Sequence, residues 1–299
     1  MSVVDDLPRP VGFVLGGGGS LGAAQVGMLR ALTERGIVAD LVVGTSVGAL
    51  NGALVALDPA DAVDRLTPVW SAMTRRAVFP GGPLSQARTL RRGRTHLFPN
   101  TGLHAVIDAH LPRDATFADL AVPFGAVTMD VTTAAAHVVR DGPLAPALLA
   151  SAAIPGIYPA VEVGGRQLYD GGVVANVPLI QALAMGARSL VVLDATFPGR
   201  IPGAPATLAE ALLFTAIVTM RVQARLEAPV AARDVPVVYL PGPEYVRVSP
   251  FDFDHTDELI HGAHTAVSAF LDDLVITGPG LYQAAEDAAE STVDDQGPG

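Results

Sequence analysis

The chain has 299 residues, 50% of them hydrophobic, which is enough to bury a large core in one α/β domain. It has no Cys, which excludes a disulfide framework and thiolate metal sites, and its net charge of −11 argues against broad nucleic-acid binding. The first ten residues carry Asp5 and Asp6 where a secretory leader would be basic and then apolar, and no apolar run reaches the roughly 20 residues of a bilayer span, so the expected placement is cytoplasmic.

In chain order, Val11 to Leu15 reads as a buried strand, and Leu21, Ala24, Met28, Leu29 and Leu32 then recur at helical spacing until Arg35-Gly36. Leu41-Val42-Val43 is a second strand, followed by a turn and an Ala/Leu-rich helix from Val47 to Leu57 that ends at Asp58-Pro59. Two consecutive βα units predict a mainly parallel sheet covered by helices on both faces. From 79 to 102 the chain is rich in Pro, Gly and Arg and reads as a candidate cap or lid; six of the 19 arginines lie between Arg75 and Arg94. Strands are expected at Pro123 to Val131, His137 to Arg140, Val161 to Val163, Gln167 to Tyr169, Ser189 to Asp194 and Val235 to Leu240. Helices are expected at Leu144 to Ala153, Pro178 to Met185 and, in the region of Leu259 to Leu274, at the close of the domain. Ala211 to Met220 is apolar around most of a helix and needs cover from core, another subunit or lipid. The domain is expected to span 11–276, between a short tail at 1–10 and a disordered acidic tail at 277–299.

Three motifs in a fixed order carry chemistry. The Gly run Gly16 to Gly19, with Gly22, follows a strand and offers successive amides as an anion nest. Gly44-x-Ser46-x-Gly48 sits where a strand passes into a helix, the setting of a nucleophile elbow; its bland alternative is a turn with Ser46 as N-cap. Asp170-Gly171-Gly172 follows another strand and supplies a carboxylate, although Asp-Gly-Gly by itself is a common turn. Gly17-x-Gly19-x-x-Gly22 also matches a dinucleotide fingerprint, but the acid that would bind ribose, Asp40, precedes its strand instead of following it. His255, His261 and His264 leave open a Ser, Asp, His triad, and His261-x-x-His264 is a weak metal pair without a third ligand.

The order and spacing of these motifs resemble those of the patatin-like phospholipases, whose pattern is Gly-Gly-Gly-x-Arg/Lys-Gly, then Gly-x-Ser-x-Gly, then Asp-Gly-Gly/Ala. Ser151-Ala152-Ala153-Ile154-Pro155-Gly156 and Asn176-Val177-Pro178 extend the resemblance, which covers Val11 to Asp194. It implies a three-layer patatin-like fold with Ser46 as nucleophile, Asp170 as general base, and the main-chain amides of Gly17, Gly18 and Gly19 as oxyanion hole. Gly44, Gly48, Gly171 and Gly172 support these motifs. The implied substrate is a phospholipid or other acyl lipid, with no metal and no organic cofactor. The chain departs from the pattern at Leu21, where the family has Arg or Lys. A lipid-binding or regulatory protein on the same fold is the competing reading. Arg88, Arg91, Arg92 and Arg94 are candidates for peripheral contact with anionic lipid surfaces.

Overall fold

The structure, a computed structural model, describes residues 7–81, 95–196, 208–243 and 249–284, and within them no side chain of 208–210, 212, 213, 216 or 217. The first half comprises β1 (Val11–Leu15), α1 (Ala23–Thr33), β2 (Leu41–Thr45), α2 (Val47–Leu57), α3 (Ala62–Ala72), α4 (Arg75–Val78), α5 (Thr101–His110), β3 (Phe124–Asp130) and β4 (Ala135–Val139). The second half comprises α6 (Leu144–Ser151), β5 (Val161–Val163), β6 (Arg166–Asp170), α7 (Gly172–Ala175), α8 (Leu179–Ala184), β7 (Ser189–Leu193), α9 (Leu208–Ala231), β8 (Pro236–Tyr239), α10 (Thr256–Asp272) and β9 (Gly280–Tyr282).

Among the described residues the sheet has nine strands, in the order β5-β6-β3-β2-β1-β7-β8-β9, with β4 also paired to β3. The run from β3 to β9 is parallel, while β4, β5 and β6 pair antiparallel, so the sheet is mixed. Alternation along each strand divides the core. Phe13, Leu15, Val42, Val191 and Leu193 face a cluster shared with α1, α2, α3, α5, α6 and α10. Val14, Val43, Leu190 and Val192 face a second cluster, where Ala224, Ala228 and Ala231 let α9 approach the sheet closely.

β3 is shared unequally. Along one edge β4 pairs with Ala126 through Asp130. The other edge is divided: β2 pairs with Phe124 through Val127, and β6 then takes Thr128 through Asp130. Because β2 runs parallel to β3 and β6 antiparallel, the two meet end to end, Thr45 opposite Val127 and Asp170 opposite Thr128.

One sequence expectation needs correction. Residues from 277 onward are not uniformly tail, since Gly280–Tyr282 extends the sheet beside β8. Leu281 packs on one core cluster and Tyr282 on the other, while the Tyr282 hydroxyl donates to Gly278 O at 2.8 Å and accepts from Thr277 N at 2.9 Å. Two apolar side chains at the head of an acidic stretch therefore act as a strand. The 79–102 excursion contains the start of α5, and Leu97 and Phe98 donate to the carbonyls of Gly156 and Ile157. Residues 82–94, which hold Arg88, Arg91, Arg92 and Arg94, lie outside the described residues. In the 211–220 stretch, helical as expected, Phe214, Val218 and Met220 are half-buried while Thr215 and Thr219 are exposed.

Helix α10 packs directly on α1 at Gly27, where a Cβ would stand 2.0 Å from Ile260 O and 2.8 Å from His264 N. Helix propensity alone would make Gly27→Ala stabilising by about 1 kcal/mol. The backbone contact reverses the sign: the variant is expected to lose on the order of 2 kcal/mol in urea unfolding, and an unchanged or higher midpoint would show that the two helices are not in backbone contact.

Candidate active site

The motif residues converge at the C-terminal ends of β1, β2 and β6, where open α/β sheets form their crevices. Ser46, the residue between β2 and α2, has φ 56° and ψ −127° and is buried. That backbone conformation is costly for a non-glycine residue and is held from several sides. Gly44 and Gly48 touch across the turn, since a Cβ on Gly44 would lie 2.2 Å from Gly48 O. Thr45 Oγ1 donates to Ala175 O at 2.7 Å, and Ser46 N donates to Ser151 Oγ at 3.0 Å, whose own hydrogen goes to Val127 O at 2.7 Å. Ser46 makes no side-chain capping bond to α2, so its hydroxyl is free of the N-cap role, and it lies near enough to the Asp170 carboxylate to favour the charged form.

Asp170 is buried at the end of β6, and its Oδ1 accepts Gly172 N–H at 2.7 Å. Desolvation pushes its carboxyl up to about 6, against the opposing pull of the nearby Ser46 side chain and of the Gly172 hydrogen bond. Gly171 lies against β3, with Val127 O 2.5 Å from where its Cβ would be.

The glycine loop differs from the sequence expectation. The Gly17 amide donates to Asn176 O at 3.1 Å and so is occupied. Asn176 Nδ2 also approaches Gly17 O at 3.4 Å. The amides of Gly18 and Gly19 have no acceptor among the described residues, so two of the three expected donors are open. Ser20 and Leu21 extend the loop into a 3-10 turn, and Ser20 is latched to the segment at 249–250 through its amide and hydroxyl, at 2.9 and 3.0 Å. Leu21 is half-buried and packs on the core.

From Ser46 an apolar pocket extends between α2, α3, α5 and α6. Val47, Leu50, Leu54, Val69, Met73, Leu103, Ile107 and Leu148 line it, with Phe79, Tyr158 and Phe253 also on its wall. Trp70 and Asn51 belong to the same wall. Phe79 stacks on Tyr158 at 5.7 Å, and Phe253 stacks on Trp70 at 6.5 Å, so aromatic rings from distant segments line one side.

The competing assignments find no such convergence. His264 bonds Glu34 at 2.8 Å, His255 bonds Glu258 at 3.1 Å, His261 is exposed on α10, and none of the three lines the pocket. Asp40 pairs with Arg9 and accepts Val11 N at 2.7 Å, at the opposite end of β1 from the glycine loop. Among the described residues no three His, Asp or Glu side chains gather as metal ligands. Ser151, Asn176, Gln25 and Asn51 are parts of the site to which motif reading assigned no role.

A buried carboxylate beside a serine on a strained strand-to-helix turn, with open glycine amides and an apolar pocket next to that serine, defines a site equipped for acyl transfer in an α/β fold. The family model for patatin-like phospholipases matches residues 13–183, more than half of the chain, and the chain belongs to that family. Mouse patatin-like phospholipase domain-containing protein 7 is 35% identical over 189 residues, 62% of this chain and 13% of the mouse protein. Lysophospholipase NTE1 of Mycosarcoma maydis is 33% identical over 192 residues, again 62% of this chain and 10% of the fungal one. The chain thus aligns with only a small part of the relatives it matches. Among solved structures, VipD from Legionella pneumophila superposes with a TM-score of 0.48 at 15% identity, covering 89% of this chain and 67% of that one.

The buried carboxyl has a consequence for stability. With its pKa raised, Asp170 stays protonated in the folded chain where the unfolded chain has already released the proton, so stability falls as pH climbs from about 4 to about 6 and is level above that. Asn keeps the acceptor for Gly172 and carries no charge. Asp170→Asn is therefore expected to gain stability relative to the parent across this window, up to about 2 to 3 kcal/mol at pH 7. Thermal melts of both proteins between pH 4 and 8 measure the difference, and a gap that does not change with pH would contradict the burial argument.

Proposed function

We propose that the protein is a serine lipid acyl hydrolase that cleaves fatty acyl esters of phospholipids or related lipids through a Ser46–Asp170 dyad. The observation that carries this reading is a desolvated carboxylate beside Ser46, a serine that itself lines an apolar pocket. Asp170 takes the Ser46 proton as Oγ attacks the ester carbonyl, and the developing oxyanion is met by the amides of Gly18 and Gly19. Collapse of the tetrahedral intermediate expels the alcohol, which receives the proton from Asp170, and leaves the acyl group on Ser46. Water then gives a proton to Asp170 as it attacks the acyl carbon, and collapse of the second tetrahedral intermediate releases the fatty acid while Asp170 returns the proton to Ser46 Oγ. The raised proton affinity of Asp170 brings base and nucleophile closer in strength than an exposed aspartate would. The acyl chain occupies the pocket between α2 and α6.

Substrates of the much longer relatives bear on this chain through the shared domain alone; the lysophospholipase name of the fungal protein makes lysophospholipids a first choice for assay. No helix among the described residues is long and apolar enough to cross a membrane. A cytoplasmic enzyme that meets its lipid at a membrane surface is the setting we infer.

A fluorophosphonate probe and a panel of phospholipid, lysophospholipid, glyceride and p-nitrophenyl esters test the reading. Labelling and hydrolysis are expected in the parent, and Ser46→Ala and Asp170→Asn should each lower kcat by roughly 10³-fold or more while remaining folded. Near-parental turnover in either folded variant would exclude the dyad. In the active parent kcat/KM should climb with pH and level off above about 6, following the Asp170 carboxyl.

A further inference from the structure

A run of glycines has no orientation of its own, because a peptide group flanked by residues without Cβ atoms rotates at little cost. Amides that meet an oxyanion must nevertheless be fixed before reaction. The loop from Gly16 to Gly19 is therefore oriented from outside, and the groups that orient it are visible. Gln25 on α1 is fully buried, and its Nε2 donates to Gly16 O at 2.8 Å and to Leu193 O at 2.8 Å. Since Gly17 N–H donates to Asn176 O, the Gly16–Gly17 peptide is held at both its carbonyl and its amide end.

A glutamine side chain can present either end, so something must decide which end faces the loop. Gln25 Oε1 accepts from Asn51 Nδ2 at 2.8 Å, and Asn51 Oδ1 accepts from Trp70 Nε1 at 3.0 Å. An indole nitrogen donates only. Trp70 thus requires the oxygen of Asn51; the Asn51 amide hydrogens then go to Gln25 and to Gly22 O at 3.0 Å, and Gln25 is left with its hydrogens toward the two carbonyls. A reversed Gln25 would set its oxygen against two carbonyl oxygens in a buried, low-dielectric place. Asn51 and Trp70 also face the apolar pocket.

We propose that Trp70, Asn51 and Gln25 form a directional hydrogen-bond relay that orients the glycine loop, making Trp70 and Gln25 positioning residues for acyl transfer in addition to parts of wall and core. The proposal rests on the hydrolase reading above. Trp70→Phe keeps one aromatic ring in the pocket and removes the indole donor with part of the ring system, while Gln25→Met keeps length and removes the bonds to Gly16 O and Leu193 O.

The experiment compares p-nitrophenyl acetate, whose acyl group is too short to fill the pocket, with a long-chain p-nitrophenyl ester. Each variant is expected to lose about tenfold or more in kcat on the acetate with KM within about twofold, in protein that melts cooperatively. The double variant should be no worse than Gln25→Met alone, as members of one relay are non-additive. Parental kcat on acetate in folded Trp70→Phe, with a change confined to the long-chain ester, would reduce Trp70 to a pocket wall and overturn the proposal. Fully multiplicative losses in the double variant would overturn it as well. If Gln25→Met does not fold, Trp70→Phe decides alone. A parent that hydrolyses neither ester and takes no fluorophosphonate label overturns the hydrolase reading itself, an outcome distinct from an active parent with unaffected variants.

Discussion

The arrangement depends on one shared strand edge. A β-strand offers a continuous ladder of donors and acceptors along each side, and β3 gives one side to two partners in succession, β2 and then β6. Each partner ends where the other ends, so the chain leaves the sheet twice at nearly the same point, once at Ser46 and once at Gly171. Rigid main-chain pairing, more than any flexible side-chain contact, sets the serine beside the aspartate. Ser151 reinforces the junction by bonding both Val127 and the Ser46 amide, which ties the turn to the strand that templates it.

The two faces of the sheet do different work. On one, large side chains from six helices pack against the strands, and the same group of helices leaves the apolar pocket that starts at Ser46. On the other, small residues of α9 and the short helices α7 and α8 seal the sheet at close range. The loop that follows β6 passes from the first situation to the second, and Asn176, in the segment between α7 and α8, holds the glycine loop from this tighter side. Asp170 thus sits at the seam between a roomy layer and a dense one, and its burial there raises its proton affinity, while its neighbour Ser46 faces the pocket.

Much of this was legible in the sequence wherever a local signal coincides with the structural cause. The apolar runs of β1, β2 and β7 are buried on both faces, so continuous hydrophobicity marked them directly, and Ser46 and Asp170 stood out because tight backbone approach demands glycines beside them. The fate of the Gly17 amide could not be read locally, since it is decided by Asn176, distant along the chain. Gln25, Asn51 and Trp70 are invisible for the same reason: each looks like a residue of an ordinary amphipathic helix until the three helices are packed together. Helices α3 and α5 went unread although Ala62, Leu66, Val69 and Trp70, and Leu103 and Ile107, recur at helical spacing. Strand β9 was lost because composition averaged over the acidic stretch beyond it outweighs Leu281 and Tyr282.

The divided edge of β3 also orders events in time. Ser46 and its turn belong to a compact βα unit that can form from residues close in sequence, whereas β6 reaches its place only after β3 exists and the chain has returned through α6 and β5. The approach of Asp170 to Ser46 is therefore long-range, and closing it requires that the intervening loop entropy already be offset by the sheet. A nascent or partly opened chain carries an elbow without its carboxylate partner. Lipid-directed chemistry, on the reading proposed above, is withheld until the sheet has assembled across its middle.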